Sequence, residues 1–423
     1  METSNIAEIH AFEILDSRAN PTVSVEIIDT LGHCVQASVP SGASTGIHEA
    51  LELRDHDLNR YGGKGVLKAV ENIETIIAPA IVGMSAVDPT KVDERLIAVD
   101  GTENKSNLGA NAILAVSLAA RKLQALNCGH ELFDCFEGTK YLPVPMLNVL
   151  NGGAHAGNNL DIQEFMIMPH GFRTFSAALQ ASVEVYHALA NLLKKAGKAI
   201  GIGDEGGFAP SLDSDEEALE LLVLAIEKAG YKAPDQFVLA LDVAASEWKS
   251  GQPGLYRLPK KNITLTTAEL IDYYRKLADR FPLRSIEDGL DEDDFEGFRL
   301  MTTQLPGIQL VGDDLFVTSA KRLKQGIDQK FANAILIKYN QVGSINETLE
   351  TIGLAQSNGY KTIISHRSGE TDETFIADLA VGTGALEIKT GAPARFERTA
   401  KYNRLLEIEA KYGLPYAGKI LKL

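Results

Sequence analysis

Cysteine is scarce in this chain. There are three among 423 residues, Cys34, Cys128 and Cys135, and none forms a CxxC pair. That excludes a disulfide framework and points to a reducing, cytoplasmic setting. Positive charge is also in deficit: 41 Lys and Arg stand against 57 Asp and Glu, a formal net charge of −16. A nucleic-acid binder or a protein of anionic membrane surfaces needs clustered cations, so both are disfavoured. An anionic small molecule stays open, because a local cluster of cations can override the global field. No apolar run reaches the ~18 residues of a membrane span. The opening Met1-Glu2-Thr3-Ser4-Asn5 lacks the basic and apolar regions of a signal peptide.

What is present is enough for a sizeable core, with 45% hydrophobic residues. The length suits two or three average domains, or one barrel with a smaller companion. The first part alternates apolar and polar residues, as in Thr22-Val23-Ser24-Val25-Glu26-Ile27, with a turn at Asp29-Thr30-Leu31-Gly32. This predicts an antiparallel hairpin or meander. Helical patterns follow at roughly 66–80 and 109–126, and the Ala/Leu-rich second one reads as buried. The pattern breaks around Tyr141-Leu142-Pro143-Val144-Pro145. The expected division is a small α+β domain over 1–135 and a β/α barrel, irregular in its first part, over 136–423. Capping boxes mark helix starts at Ser214 with Glu217, Thr266 with Glu269 and Ser344 with Glu347.

Six strand-like runs in the second part each stop at one charged or polar residue. Phe237–Leu241 ends on Asp242, Leu283–Ile286 on Glu287 and Ile308–Gly312 on Asp313. Ala334–Ile337 ends on Lys338, Thr362–Ser365 on His366 and Leu386–Ile388 on Lys389. Arg284, Ser285, Gln309 and Glu387 interrupt the apolar runs. Steps of 26 residues from Glu287 to Asp313 and 25 from Asp313 to Lys338 match one strand, one helix and two loops. The longer step from Asp242 to Glu287 reads as one unit with an insertion at Gly251–Asn262. In a β/α barrel the carboxyl ends of the strands carry the chemistry, although an open doubly wound sheet has the same period.

Asp242, Glu287 and Asp313 offer oxygen ligands only, which selects a hard cation such as Mg²⁺. Each acid alone could be a helix cap or a solvated loop residue. Packed at one mouth, three would repel without a cation among them. Asp314, beside Asp313, should point the other way along a persisting strand. Lys338 and Lys389, near each other and a divalent ion, should have lowered pKa values, so that one could act as a base; ordinary salt bridges are the plain alternative. His366-Arg367-Ser368 offers donors to a phosphate or carboxylate. Gly201, Gly203 and Gly206 formally match GxGxxG, but Asp204 and Glu205 would face a pyrophosphate, so the segment reads as a turn presenting Glu205. Glu164 is a second possible acid. Ser41–Gly46 lacks a GK[ST] ending and reads as a lid.

The stretches SGASTG (41–46), DGTENKSNLGANAIL (100–114), NGGAHAGN (151–158), QEFMI (163–167), GDEGG (203–207), LDVAASE (241–247), SIEDG (285–289), VGDDL (311–315), LIKYNQVGS (336–344), SHRSGET (365–371) and IKTGAP (388–393) together resemble enolase, bacterial type. The resemblance runs from about Ile14 to Ile408. It implies reversible dehydration of 2-phosphoglycerate to phosphoenolpyruvate in glycolysis and gluconeogenesis, with two Mg²⁺ per active site. It further implies that Asp242, Glu287 and Asp313 bind one Mg²⁺ and Ser44 helps hold the second, with Lys338 as base and Glu205 as acid. His155, Gln163, Glu164, His366, Arg367, Ser368 and Lys389 would surround the substrate. A homodimer or an assembly of dimers is implied, without direct nucleic-acid binding. A scaffold role on the cell surface or in an RNA-processing assembly is the alternative from another class. Ala19, Ser319, Ala394 and Phe396 depart from the usual family pattern.

Overall fold

The computed structural model describes residues 4–42, 46 and 48–423, and of His155 the backbone alone. The first domain opens with β1 (Ile6–Leu15), β2 (Pro21–Asp29) and β3 (Cys34–Ser38), an antiparallel sheet in which Val25 lies opposite both Ala11 and Ala37. Alternation puts Ile9, Ala11, Val23, Val25 and Ile27 on the buried face. The Asp29 carboxylate closes the predicted turn by accepting from the backbone N–H of Leu31 and His33, at 2.9 and 2.8 Å.

The helix Ala110–Cys128 packs on β2 and β3. Its other side meets the barrel, where Ser117 Oγ accepts from the Ile345 N–H at 3.0 Å. Contact on both sides explains its lack of a charged face. The helix expected over 66–80 is interrupted by a π turn, Ile73–Ile77, between Leu67–Asn72 and Ala78–Ile81. Pro79, which has no N–H to donate, follows this turn.

The second domain is a closed barrel. Its strands are β4 (Val144–Asn151), β5 (Glu164–Met168) and β6 (Val238–Asp242), then β9 (Leu283–Glu287), β10 (Gln309–Gly312), β11 (Ala334–Ile337), β12 (Lys361–Ser365) and β13 (Glu387–Lys389), which returns to β4. The hairpin β7 (Leu255–Leu258) and β8 (Ile263–Thr266) is the insertion that lengthens the step to Glu287. The closure predicted from the βα period is therefore present, and the open sheet is excluded. The irregular first part is now specific: β5 runs antiparallel to both neighbours, and two helices, Phe175–Lys195 and Asp215–Lys228, separate it from β6.

The polar interruptions of the strands have a use inside the barrel. Gln309 Nε2 donates to Glu387 Oε1 at 2.9 Å and to Ser285 Oγ at 3.2 Å. Burial pushes the Glu387 carboxyl up from its ordinary value, and Gln309 gives it a hydrogen-bond partner inside the barrel. Of the three expected capping boxes, only Thr266 with Glu269 is reciprocal. Ser214 and Ser344 accept from the N–H groups of Glu217 and Glu347. The Glu217 side chain turns to the Asp213 N–H, and Glu347 pairs with Lys105.

Candidate active site

The strand ends converge at one mouth of the barrel. Asp242 and Glu287 are register partners on β6 and β9, and Glu164 faces Asp242 from β5. Lys389, from the end of β13, reaches into this group. Its Nζ lies 2.8 Å from Asp242 Oδ2, 2.9 Å from both Glu287 oxygens and 3.2 Å from Glu164 Oε2. Lys338, just past β11, pairs with Asp313. Asp313 is further fixed by Gln341 Nε2 at 2.8 Å, while Thr318 holds the Gln341 carbonyl at 2.6 Å.

Burial and mutual repulsion set the charges. Desolvation, then the neighbouring Asp242 charge, pushes Glu287 well above the usual carboxylate range, with Lys389 opposing. Burial is the largest single influence on Asp313 and would raise it, but the charge and hydrogen bond of Lys338, with the charges of Arg367 and Lys389, together hold that carboxyl low. The sequence expectation of lowered lysine pKa values counted a divalent ion; among the protein's own groups alone the balance runs the other way. Burial alone would lower them, yet the facing carboxylates raise Lys338 and hold Lys389 well above its ordinary value. The reason is geometric: each lysine points at acids rather than at the other lysine.

Asp242, Glu287 and Asp313 suit a hard divalent cation. They are buried, on adjacent strand ends, with oxygen donors only and charges that repel. Among the described residues, the acids whose ligand atoms lie within 4.8 Å of one another are Asp288, Asp313 and Asp314. This group includes only Asp313 of the expected triad, and Asp314 turns to the same side as Asp313 because the strand ends at Gly312. The Asp288 oxygens accept from the backbone N–H groups of Asp313 and Asp314 at 2.9 and 2.7 Å, so Asp288 anchors the turn that carries Asp313.

Glu205 sits in the turn between Gly203 and Gly207, as its glycines suggested. Gly206 has φ +84°, and a Cβ there would lie 2.7 Å from the Ala394 carbonyl. Glu205 Oε2 accepts from Asn148 Nδ2 at 3.0 Å and faces His366 Nε2 at 3.5 Å. Burial first, and then the Glu205 charge, drives Glu164 well above the carboxylate range. Repulsion between the two acids works against both being charged at once. His366 is pushed down to about 4 by burial, helped by the Arg398 charge and opposed by Glu205. It is a neutral ring.

Arg367 and Ser368 follow on the same loop, and the first domain meets them there. Glu49 binds Arg367 through both oxygens, at 3.0 and 3.2 Å, and Ser41 N–H donates to Gly369 O at 2.8 Å. Gln163 lines the same cavity, and His155 belongs to the short turn Gly153–His155. Ser44 lies outside the described residues.

Sequence reading missed Asn148, Gln341, Glu49 and Arg398. A signal existed for Arg398. Along the helix Phe396–Tyr412 the buried positions are Arg398, Lys401, Tyr402, Leu405 and Ile408. The core-facing stripe therefore begins with two cations where apolar residues belong.

Two family models cover this architecture. Residues 6–136 match "Enolase, N-terminal domain", and residues 139–422 match "Enolase, C-terminal TIM barrel domain". Together they span nearly the whole chain, which belongs to the enolase family.

Proposed function

We propose that the protein is a phosphopyruvate hydratase, a Mg²⁺-dependent lyase that reversibly dehydrates 2-phospho-D-glycerate to phosphoenolpyruvate in the cytoplasm. One observation carries this reading. Glu164, beside Glu205, starts β5, and Lys338 follows β11, four strands away in the ring of eight. An acid pair and a lysine thus face each other across one mouth. That suits removing a proton and a hydroxyl from neighbouring carbons on opposite sides of a small substrate.

The lysines and Arg367 draw an anion into the mouth despite the chain's net negative charge. Lys338, as free amine, takes the proton from C2 of the substrate. That removal puts a second negative charge on the adjacent carboxylate, which Lys389 stabilises. Glu205 then gives its proton to the C3 hydroxyl, which leaves as water. A divalent cation held by Asp242, Glu287 and Asp313 would supply charge to that dianion and release Lys338 from its pair with Asp313. Arg367 and Ser368 would hold the phosphate, with His366, Gln163 and His155 around the substrate and Ser44 at a second Mg²⁺.

The direct test is phosphoenolpyruvate formation from 2-phosphoglycerate, followed by absorbance with Mg²⁺ and with excess chelator. Turnover should require the metal; full rate in chelator refutes the metal assignment. Lys338→Ala should abolish hydrogen–deuterium exchange at C2, and normal exchange in that variant would sink the role of Lys338. A homodimer is the expected assembly, which light scattering decides. No helix among the described residues is long and apolar enough to cross a membrane.

A further inference from the structure

Arg398 is fully buried, and the hydrogens of its two terminal nitrogens meet four acceptors. Nη1 lies 2.6 Å from His366 Nδ1 and 2.6 Å from the Arg367 carbonyl. Nη2 lies 2.6 Å from the Ser368 carbonyl and 3.1 Å from the Asp204 carbonyl. Those acceptors belong to the two loops that carry the site, 366–368 and 203–207. One rigid fork therefore sets the distance between the turn that carries Glu205 and the loop that carries Arg367 and Ser368. A lysine, with three donors on one atom, cannot reproduce four bonds in this geometry.

We propose that Arg398 is a positioning residue that fixes His366 as the Nε2–H tautomer and so aims one N–H at Glu205 Oε2. A guanidinium only donates, so the Nδ1 it touches must carry a lone pair. The proton of the neutral ring is then on Nε2, which faces Glu205. Asn148 Nδ2 donates to that same oxygen. With two donors on Oε2, the transferable proton of Glu205 is kept on Oε1. The opposite tautomer would turn a lone pair toward Oε2 and draw the proton to the wrong oxygen. Arg398 touches no reacting atom in this arrangement; it acts through His366 and through the two loop backbones.

The catalytic consequence rests on the phosphopyruvate hydratase reading, but the tautomer does not. It is read in the resting full-length protein without substrate. The protein is labelled with ¹⁵N-histidine, and the ring signals of His366 are identified by their loss in His366→Gln. Between pH 6 and 8 the expected result is one tautomer with protonated Nε2 and unprotonated Nδ1. An Nδ1–H ring, or a mixture, overturns the proposal whatever the enzyme does. In Arg398→Met the expected result is a mixed or reversed tautomer, with kcat reduced on the order of 10²-fold. The pH at which His366 becomes cationic should also rise, because a positive neighbour is gone. Arg398→Met that keeps the single Nε2–H tautomer overturns the assignment even if activity is lost. If that variant does not fold, the wild-type tautomer and the same measurement on Arg398→Lys decide. Failure of the phosphoenolpyruvate assay alone would count against the reaction and leave the tautomer result standing.

Discussion

Lys389 donates to Asp242 across the barrel mouth at 2.8 Å, although the two strands that carry them are three apart in the ring. The same ammonium contacts Glu287 and Glu164, so it is the shared counter-charge of three buried acids. Lys389→Met should leave those acids without it and cost roughly 3–5 kcal/mol, the usual consequence of removing one side of a buried ion pair. If Asp242 and Glu287 also hold a divalent cation, Mg²⁺ should recover part of this loss. Thermal unfolding in chelator and in excess Mg²⁺ checks this. The midpoint gain from Mg²⁺ should be larger in the variant than in the wild type; equal gains would mean that these acids do not hold the ion.

Asn148 offers a second, smaller perturbation. Its Nδ2 donates to Glu205 Oε2 at 3.0 Å from the buried strand β4. Glu205 becomes a carboxylate as it gives up its proton, and a hydrogen bond to a charged group contributes about 1.5–3 kcal/mol. Asn148→Ala should therefore lower kcat on the order of 10- to 100-fold. KM should change little if Asn148 serves only the acid. Steady-state kinetics separates the two, and a rise in KM with unchanged kcat would move Asn148 to substrate binding.

The fold was legible in the sequence where one rule acted alone. Strands buried on both faces appear as short apolar runs, so Val238–Asp242 and Ala334–Ile337 could be read almost to the residue. Their closure into a ring was expected but not forced, because the βα period is the same in an open sheet. The antiparallel insertion of β5 was equally hidden, since nothing in Glu164–Met168 records the direction of its neighbours. In the site, residues that end strands announced themselves. Asn148 and Gln341 did not, because each is an ordinary polar residue made important by what lies across the barrel. The ion-pair partners of the lysines were hidden for the same reason: sequence order puts Lys338 and Lys389 among strand ends, but only the register shows which acids they face.

Asp93 allows a pH prediction away from the mouth. It lies on the helix Pro89–Asp100 and accepts from the Asn346 N–H at 2.9 Å, where the first domain meets the barrel. Burial pushes its carboxyl up to about 6, against the hydrogen bonds of Ser117 and Asn346 and the nearby charge of Arg121. The unfolded chain loses this proton near the ordinary value, whereas the folded one keeps it until about pH 6. Between those values the native state binds more protons, so Asp93 makes stability fall as pH rises, and the loss is complete above the folded pKa. Asp93→Asn can keep the accepting oxygen and removes the titration. From pH 4.5 to 8 its stability relative to the wild type should therefore rise by roughly 2 kcal/mol. Urea unfolding of both proteins at the two pH values measures this directly. A difference between them that does not change with pH would show that Asp93 titrates at its ordinary value.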